Sequence, residues 1–215
     1  MGAVARKLPT NEQAAALLPP RWLREGNVTF EEFCDLIEDG QKADLIDGVI
    51  YRASPDSIDT GRLDHWLERL LGHFVEVKGL GEVFGSRIAY RIGLKRGPEP
   101  EISFVPTAQL QLHKRGYFEC APALVVEIVS PDSVHRDYVI KRGVYEEAGV
   151  REYWIIDPDE KRATFLVLSR GRFKKGKVVG HRWHSKVLPG LPLDVRWLWA
   201  ADRPRVIDLL REVLD

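Results

Sequence analysis

The sequence predicts a single α/β domain. Strand-like and helix-like patterns alternate along most of the chain, with no internal repeat and no linker dividing the body. Ala123 to Val129 (ALVVEIV) is apolar on both faces, as a central strand covered from both sides would be. Leu63, Trp66, Leu67, Leu70, Leu71, Phe74 and Val75 fall on one helical stripe, a face that needs a sheet to cover it.

Composition narrows the class further. The 215 residues are 44% hydrophobic and 30% charged, which excludes a disordered or low-complexity chain. Two cysteines, Cys34 and Cys120, lie far apart without a His or Cys at ligand spacing, so a zinc finger or disulfide framework is not expected. No apolar run approaches the ~20 residues of a membrane helix. Arg6 and Lys7 precede no apolar stretch, so a cytoplasmic protein without a membrane partner is expected.

The elements follow in order. Residues 1–26, with Pro9, Pro19 and Pro20, read as a loosely attached arm, 27–200 as the domain and 201–215 as a C-terminal helix. Thr29 and Glu32 form a capping box that opens a helix ending near Gly40. Ala43 to Arg52 reads as a hairpin about Asp47-Gly48. The striped helix ends at Gly79, and strands are expected over Val83 to Ile92, Glu101 to Val105 and Ala123 to Val129. A helix from Val134 to Ala148 closes at Gly149. Strands at Glu152 to Ile156, Thr164 to Leu168 and near Val178 come next, with turns at Asp157-Pro158-Asp159 and Gly171. Pro204 at a first helical position would open Val206 to Leu214.

Glu127 is the chemical anomaly, a carboxylate inside the most apolar strand. Burial without a partner costs several kcal/mol, so it demands a cation, a metal or hydrogen-bond donors. A structural salt bridge and a metal site both satisfy that demand. Glu101 begins the preceding strand, and two carboxylates presented to one point suit Mg²⁺; a solvated strand-end charge is the plainer reading of Glu101 and of Asp44. Lys141 stands four residues after Asp137, the spacing of an ordinary helical ion pair. Tyr145, one turn on, reads as a packing residue.

Thirty-two basic residues balance thirty-two acidic ones, but their distribution is uneven. From Lys161 to Lys186 there are nine basic residues and no acid. Arg172, Lys174, Lys175 and Lys177, interleaved with Phe173 and near Trp183, are candidates to track a nucleic-acid backbone; a solvated hairpin face is the alternative. Apolar residues around Trp197 and Trp199 are candidates for a homodimer contact.

The order of these segments resembles the Uma-two family, described as restriction endonucleases, in the PD-(D/E)XK nuclease superfamily. The matching stretches are Asp44-Leu45-Ile46-Asp47-Gly48, Gly79 to Phe84, Pro100-Glu101-Ile102-Ser103-Phe104-Val105 and Pro122 to Pro131. They continue with Asp137 to Lys141, Tyr145, Gly149 to Trp154, Asp157-Pro158 and Leu188 to Leu191. The resemblance covers roughly Thr29 to Trp199.

That resemblance implies a mixed central sheet flanked by helices and a metal-dependent endonuclease, with DNA as the expected substrate and Mg²⁺ or Mn²⁺ as cofactor. It assigns Glu101 and Glu127 as metal ligands, Asp44 as a further ligand direct or through water, and Lys141 as the catalytic lysine moved onto the following helix. Glu101 stands where the family usually has Asp, and Asp44 where it usually has Glu. The family's early His aligns near Thr60, with His65 a turn later. Two alternatives stay open: a catalytically inactive module that binds nucleic acid or a partner protein, and a binding domain in which Glu127 is a structural ion pair.

Overall fold

The computed structural model describes residues 27–37 and 41–214; the predicted arm over 1–26 lies outside them. Helix α1, Phe30–Leu36, is opened by the expected box: Thr29 N–H donates to Glu32, and Glu32 N–H to the Thr29 hydroxyl. It stops at Ile37, short of the predicted end near Gly40, which is also outside the described residues. Its Phe30 and Phe33 pack against the hairpin of β1, Ala43–Ile46, and β2, Val49–Arg52. Asp47 (φ 48°) and Gly48 (φ 79°) supply the two positive φ values that a type I′ turn requires. Leu45 exchanges backbone hydrogen bonds with Gly97, so β1 is held on its second edge as well.

Helix α2, Ile58–Lys78, buries the predicted stripe and ends at Gly79 in the left-handed conformation (φ 62°). The single strand expected over 83–92 is two pieces. Strand β3, Gly81–Phe84, joins the main sheet, while β4, Ala89–Tyr90, turns away into a small sheet. Ile88, Tyr90 and Ile92 alternate as in a strand, but the break falls before them, at Gly85-Ser86-Arg87.

Strand β5, Ile102–Pro106, leads through a 3₁₀ turn to β6, His113–Lys114, and β7, Tyr117–Phe118, which complete the small sheet with β4. Strand β8, Leu124–Ile128, is buried throughout. The predicted helix after it is two segments, a π-helical stretch Arg136–Lys141 and α3, Arg142–Glu147, closed at Gly149 (φ 81°). Next come β9, Glu152–Asp157, β10, Arg162–Ser169, and β11, Arg172–Lys175. Near Val178 only Val179 bridges, to Arg182; the pairing there is made by β12, Arg182–Trp183, and β13, Leu193–Asp194. Helix α4 spans Val206–Leu214. Pro204 precedes it rather than occupying its first position, and its carbonyl accepts the Trp66 indole N–H at 2.9 Å.

The main sheet has the order β11-β10-β9-β8-β5-β3, parallel only at β8–β9. It is the mixed sheet expected, with a helix layer on each face. Leu124, Val126 and Ile128 meet the stripe of α2 and, beyond it, Leu210 of α4. Val125 and Val129 meet Tyr145 of α3, with Tyr153 and Phe173. Each fully buried side chain of this kind is worth roughly 1.5–3 kcal/mol in transfer free energy. Strand pleating therefore turns Glu127 toward α3, away from α2.

Candidate functional site

The site begins with Asp44, buried on β1. Its Oδ1 accepts the Glu99 backbone N–H at 2.9 Å, and its Oδ2 lies 2.9 Å from Lys141 Nζ and 3.7 Å from Arg136 Nε. Glu127, one residue from the end of β8, brings its Oε1 to 2.8 Å from the same Lys141 Nζ and accepts the Tyr145 hydroxyl at 2.7 Å. Its Oε2 accepts no hydrogen bond among the described residues. Lys141 is 2% exposed, so a buried lysine bridges two buried carboxylates.

The π-helical stretch explains that placement. An i→i+5 turn re-aims side chains relative to an α-helix, and Lys141 forms no ion pair with Asp137 in spite of their spacing of four. Asp137 instead accepts the Ser133 hydroxyl, while Lys141 crosses to β1 and β8. This corrects the simple helical pair. Tyr145 is buried as expected, yet it also has a polar function through its hydroxyl.

Glu101 immediately precedes β5. The antiparallel register pairs Ile102 with Val126, so one step further Glu101 lies opposite Glu127 and on the same face. Glu101 is not joined to Lys141; it is ion-paired with Lys42, and both side chains keep about 15% exposure. Lys42, Glu99, Arg136 and Asp64 are site residues that sequence reasoning missed. Lys42 and Glu99 stood two residues from assigned carboxylates, and Arg136 stood one π turn before Lys141. Nothing local marked Asp64, whose Oδ1 is buried without a hydrogen-bond partner.

Burial and charge oppose each other here. Burial pushes the Glu127 carboxyl up, partly offset by Lys141. Burial acts on Asp44 in the same sense, but Lys141, Arg136 and Lys42 together hold it below the usual range. Burial disfavours the charge on Lys141, yet Asp44, Glu127 and Asp137 outweigh it and raise its pKa. Burial lifts Glu99 and Asp137 to about 7, and Asp64 to about 7 with Glu101 and Glu68 adding to the effect.

Three carboxylates, Asp44, Glu101 and Glu127, thus sit around one end of β1, β5 and β8. They are hard oxygen donors of the kind that Mg²⁺ takes, and the free Oε2 of Glu127 is a donor without a competing hydrogen bond. Among the described residues no three potential ligands converge tightly enough to hold an ion as they stand; Lys141 bridges Asp44 and Glu127, and Lys42 is paired with Glu101.

The basic residues lie elsewhere. Strand β11 is the sheet edge three strands from β8, about 14 Å at the usual ~4.8 Å spacing. Lys174, Lys175 and Lys177 are exposed, whereas Arg172 is held by Glu146 at 2.8 Å. Phe173 and Trp183 are buried, the latter stacked on Phe165 at 4.3 Å, so they cannot stack on bases. Trp197 and Trp199 pack against the core rather than standing exposed, and Trp197 meets Trp66 edge to face.

The family model Uma2, described as putative restriction endonuclease, matches residues 30–196. Among solved structures, one described as a putative nuclease belonging to DUF820 from Anabaena variabilis superposes with a TM-score of 0.68. The two are 19% identical, and the match covers 80% of this chain and 97% of that one. Such low identity compares folds alone. No curated protein matches the chain. No helix among the described residues is long and apolar enough to cross a membrane.

Proposed function

The chain belongs to the Uma2 family, and from that premise we propose that it is a divalent-metal-dependent endonuclease acting on the phosphodiester bonds of DNA. The observation that carries this reading is the buried Asp44–Lys141–Glu127 array, in which one oxygen of Glu127 accepts no hydrogen bond among the described residues. Glu127 and Glu101 would hold Mg²⁺ or Mn²⁺, with Asp44 a third donor. A bound ion supplies a water of lowered pKa and polarises the scissile phosphate.

The rest of the chemistry falls to the chain. Tyr145 and Lys141 both engage Oε1 of Glu127, which orients Oε2 outward from that pair. Lys141 offsets the repulsion between Asp44 and Glu127, and its raised pKa keeps it cationic at neutral pH. It therefore stabilises developing negative charge and does not donate a proton. Arg136, 3.7 Å from Asp44, adds a second fixed positive charge.

A second reading, an inactive module that binds nucleic acid, draws support from the lysines paired with all three carboxylates. Calorimetry with Mn²⁺ separates the two. The nuclease reading expects heat of binding in the wild type and none in Glu127→Gln. Absence of heat in the wild type favours the inactive module.

A further inference from the structure

Two lysines reach the carboxylates, and they are held differently. Lys141 is bound by two acids and closed off from water. Lys42 has one ion-pair partner among the described residues, Glu101, and the two side chains are 16% and 15% exposed. The accessible end of the site is therefore the Lys42–Glu101 end, where a polymer would arrive. The Lys42 carbonyl is fixed by the Ala53 N–H at 3.1 Å, which anchors its backbone beside β1. Beyond that anchor runs a four-carbon stem of freely rotating bonds.

A cation cannot share Glu101 with Lys42 at no cost, because both would compete for the same oxygens and repel each other. The displaced lysine, already in the field of Asp44, Glu99, Glu127 and Asp64, is then free to meet a further anion. The anion that comes with the reaction is a backbone phosphate.

We propose that Lys42 is a latch residue: it holds Glu101 in the free protein and passes to a phosphate of the nucleic acid when a divalent ion takes Glu101. The proposal rests on the metal-dependent reading above. It makes Lys42 a positioning residue that couples metal binding to substrate binding.

Two measurements test it on the full chain, with Lys42→Met and Lys42→Arg checked for wild-type thermal unfolding. Calorimetry with Mn²⁺ alone should show Lys42→Met binding about fivefold tighter than wild type, since a partly exposed pair no longer competes; Lys42→Arg should not show this gain. Binding of a hydrolysis-resistant DNA duplex should then be measured against salt. With Mn²⁺ present, Lys42→Met should flatten the log–log slope by about one unit, the signature of one lost phosphate contact. In EDTA the slopes of variant and wild type should agree, because Lys42 is then on Glu101. Equal or weaker Mn²⁺ binding by Lys42→Met overturns the latch alone. A slope change in EDTA as well means a lysine permanently on phosphate, and no change with Mn²⁺ means that Lys42 turns elsewhere, for example to Asp64; either result also overturns it. Wild type that binds no Mn²⁺ removes the metal-dependent reading and the latch together.

Discussion

At the scale of single residues, Glu127 and Lys141 cannot be altered without touching both stability and chemistry. Glu127→Gln preserves shape and leaves an oxygen to accept from Tyr145 and Lys141, but it removes the charge that faces Lys141. Unfolding by denaturant without metal should show a loss of about 1–3 kcal/mol. The rise in thermal midpoint that Mn²⁺ gives the wild type should vanish. Were the metal-dependent rise to survive, Glu127 would be a structural ion-pair partner only. Lys141→Met is harsher, since it leaves Asp44 and Glu127 buried together with no bridging cation. The expected stability loss is about 3–5 kcal/mol, as for other buried pairs that lose one partner. At temperatures where the variant stays folded, cleavage should slow ten- to a thousandfold, roughly 1.4–4 kcal/mol of transition-state stabilisation. Single-turnover rates in a nuclease-free preparation would measure it, and a wild-type rate would take Lys141 out of the chemistry.

At the scale of elements, the pleat of β11 divides the basic cluster. Lys175 pairs across from Leu166, whose side chain belongs to the layer on the Glu127 face. Lys174 pairs across from Val167, which packs with the α2 layer on the opposite face. If DNA crosses the sheet on the Glu127 face, the two lysines are not equivalent. Lys175→Ala should flatten the salt dependence of DNA binding by about one unit, and Lys174→Ala should leave it unchanged. Equal effects would mean that DNA runs along the strand edge rather than over one face. The π-helical stretch has the same kind of importance, because it converts a helix that reads as ordinary into the arm that delivers Lys141 and Arg136 to Asp44.

At the scale of the whole molecule, buried acids tie stability to pH. Asp64, Glu99 and Asp137 move from unfolded values near 4 to about 7 in the folded chain. Between those limits the native state holds more protons than the unfolded state, so their contribution makes stability fall as pH rises from about 4 to about 7. Asp44 is lowered and acts in the opposite sense: its contribution is complete above pH 3.8 and is lost only in stronger acid. Denaturant unfolding between pH 5 and 8 should therefore show declining stability toward the alkaline end. Asp64→Asn should make that decline shallower, because it removes a carboxyl that must ionise beside Glu101. An unaltered slope would show that Asp64 is already charged at pH 5.

What the sequence by itself determined was everything governed by neighbours in the chain. The Asp47-Gly48 turn, the capping box at Thr29, the stripe of α2 and the two-faced burial of β8 are local or periodic, and each is present in the structure. So is the anomaly of Glu127, since a charge in an apolar strand is visible without coordinates. Tertiary structure decided which groups meet. The break after Phe84 came from strand pairing, because alternation alone does not say which sheet a residue joins. Phe173 and Trp183 look accessible in a basic tract until a core layer covers them. Lys141 has an acid at the right local spacing and forms no ion pair with it, because a π turn aims it at two carboxylates from strands far apart in sequence. Lys42 and Glu101 are fifty-nine positions apart, and only the docking of β1 on the segment 97–99 that leads into β5 makes them a pair. Local chemistry selects elements, whereas register and helical offset are set by packing, and the site is built at the points where packing overrides local preference.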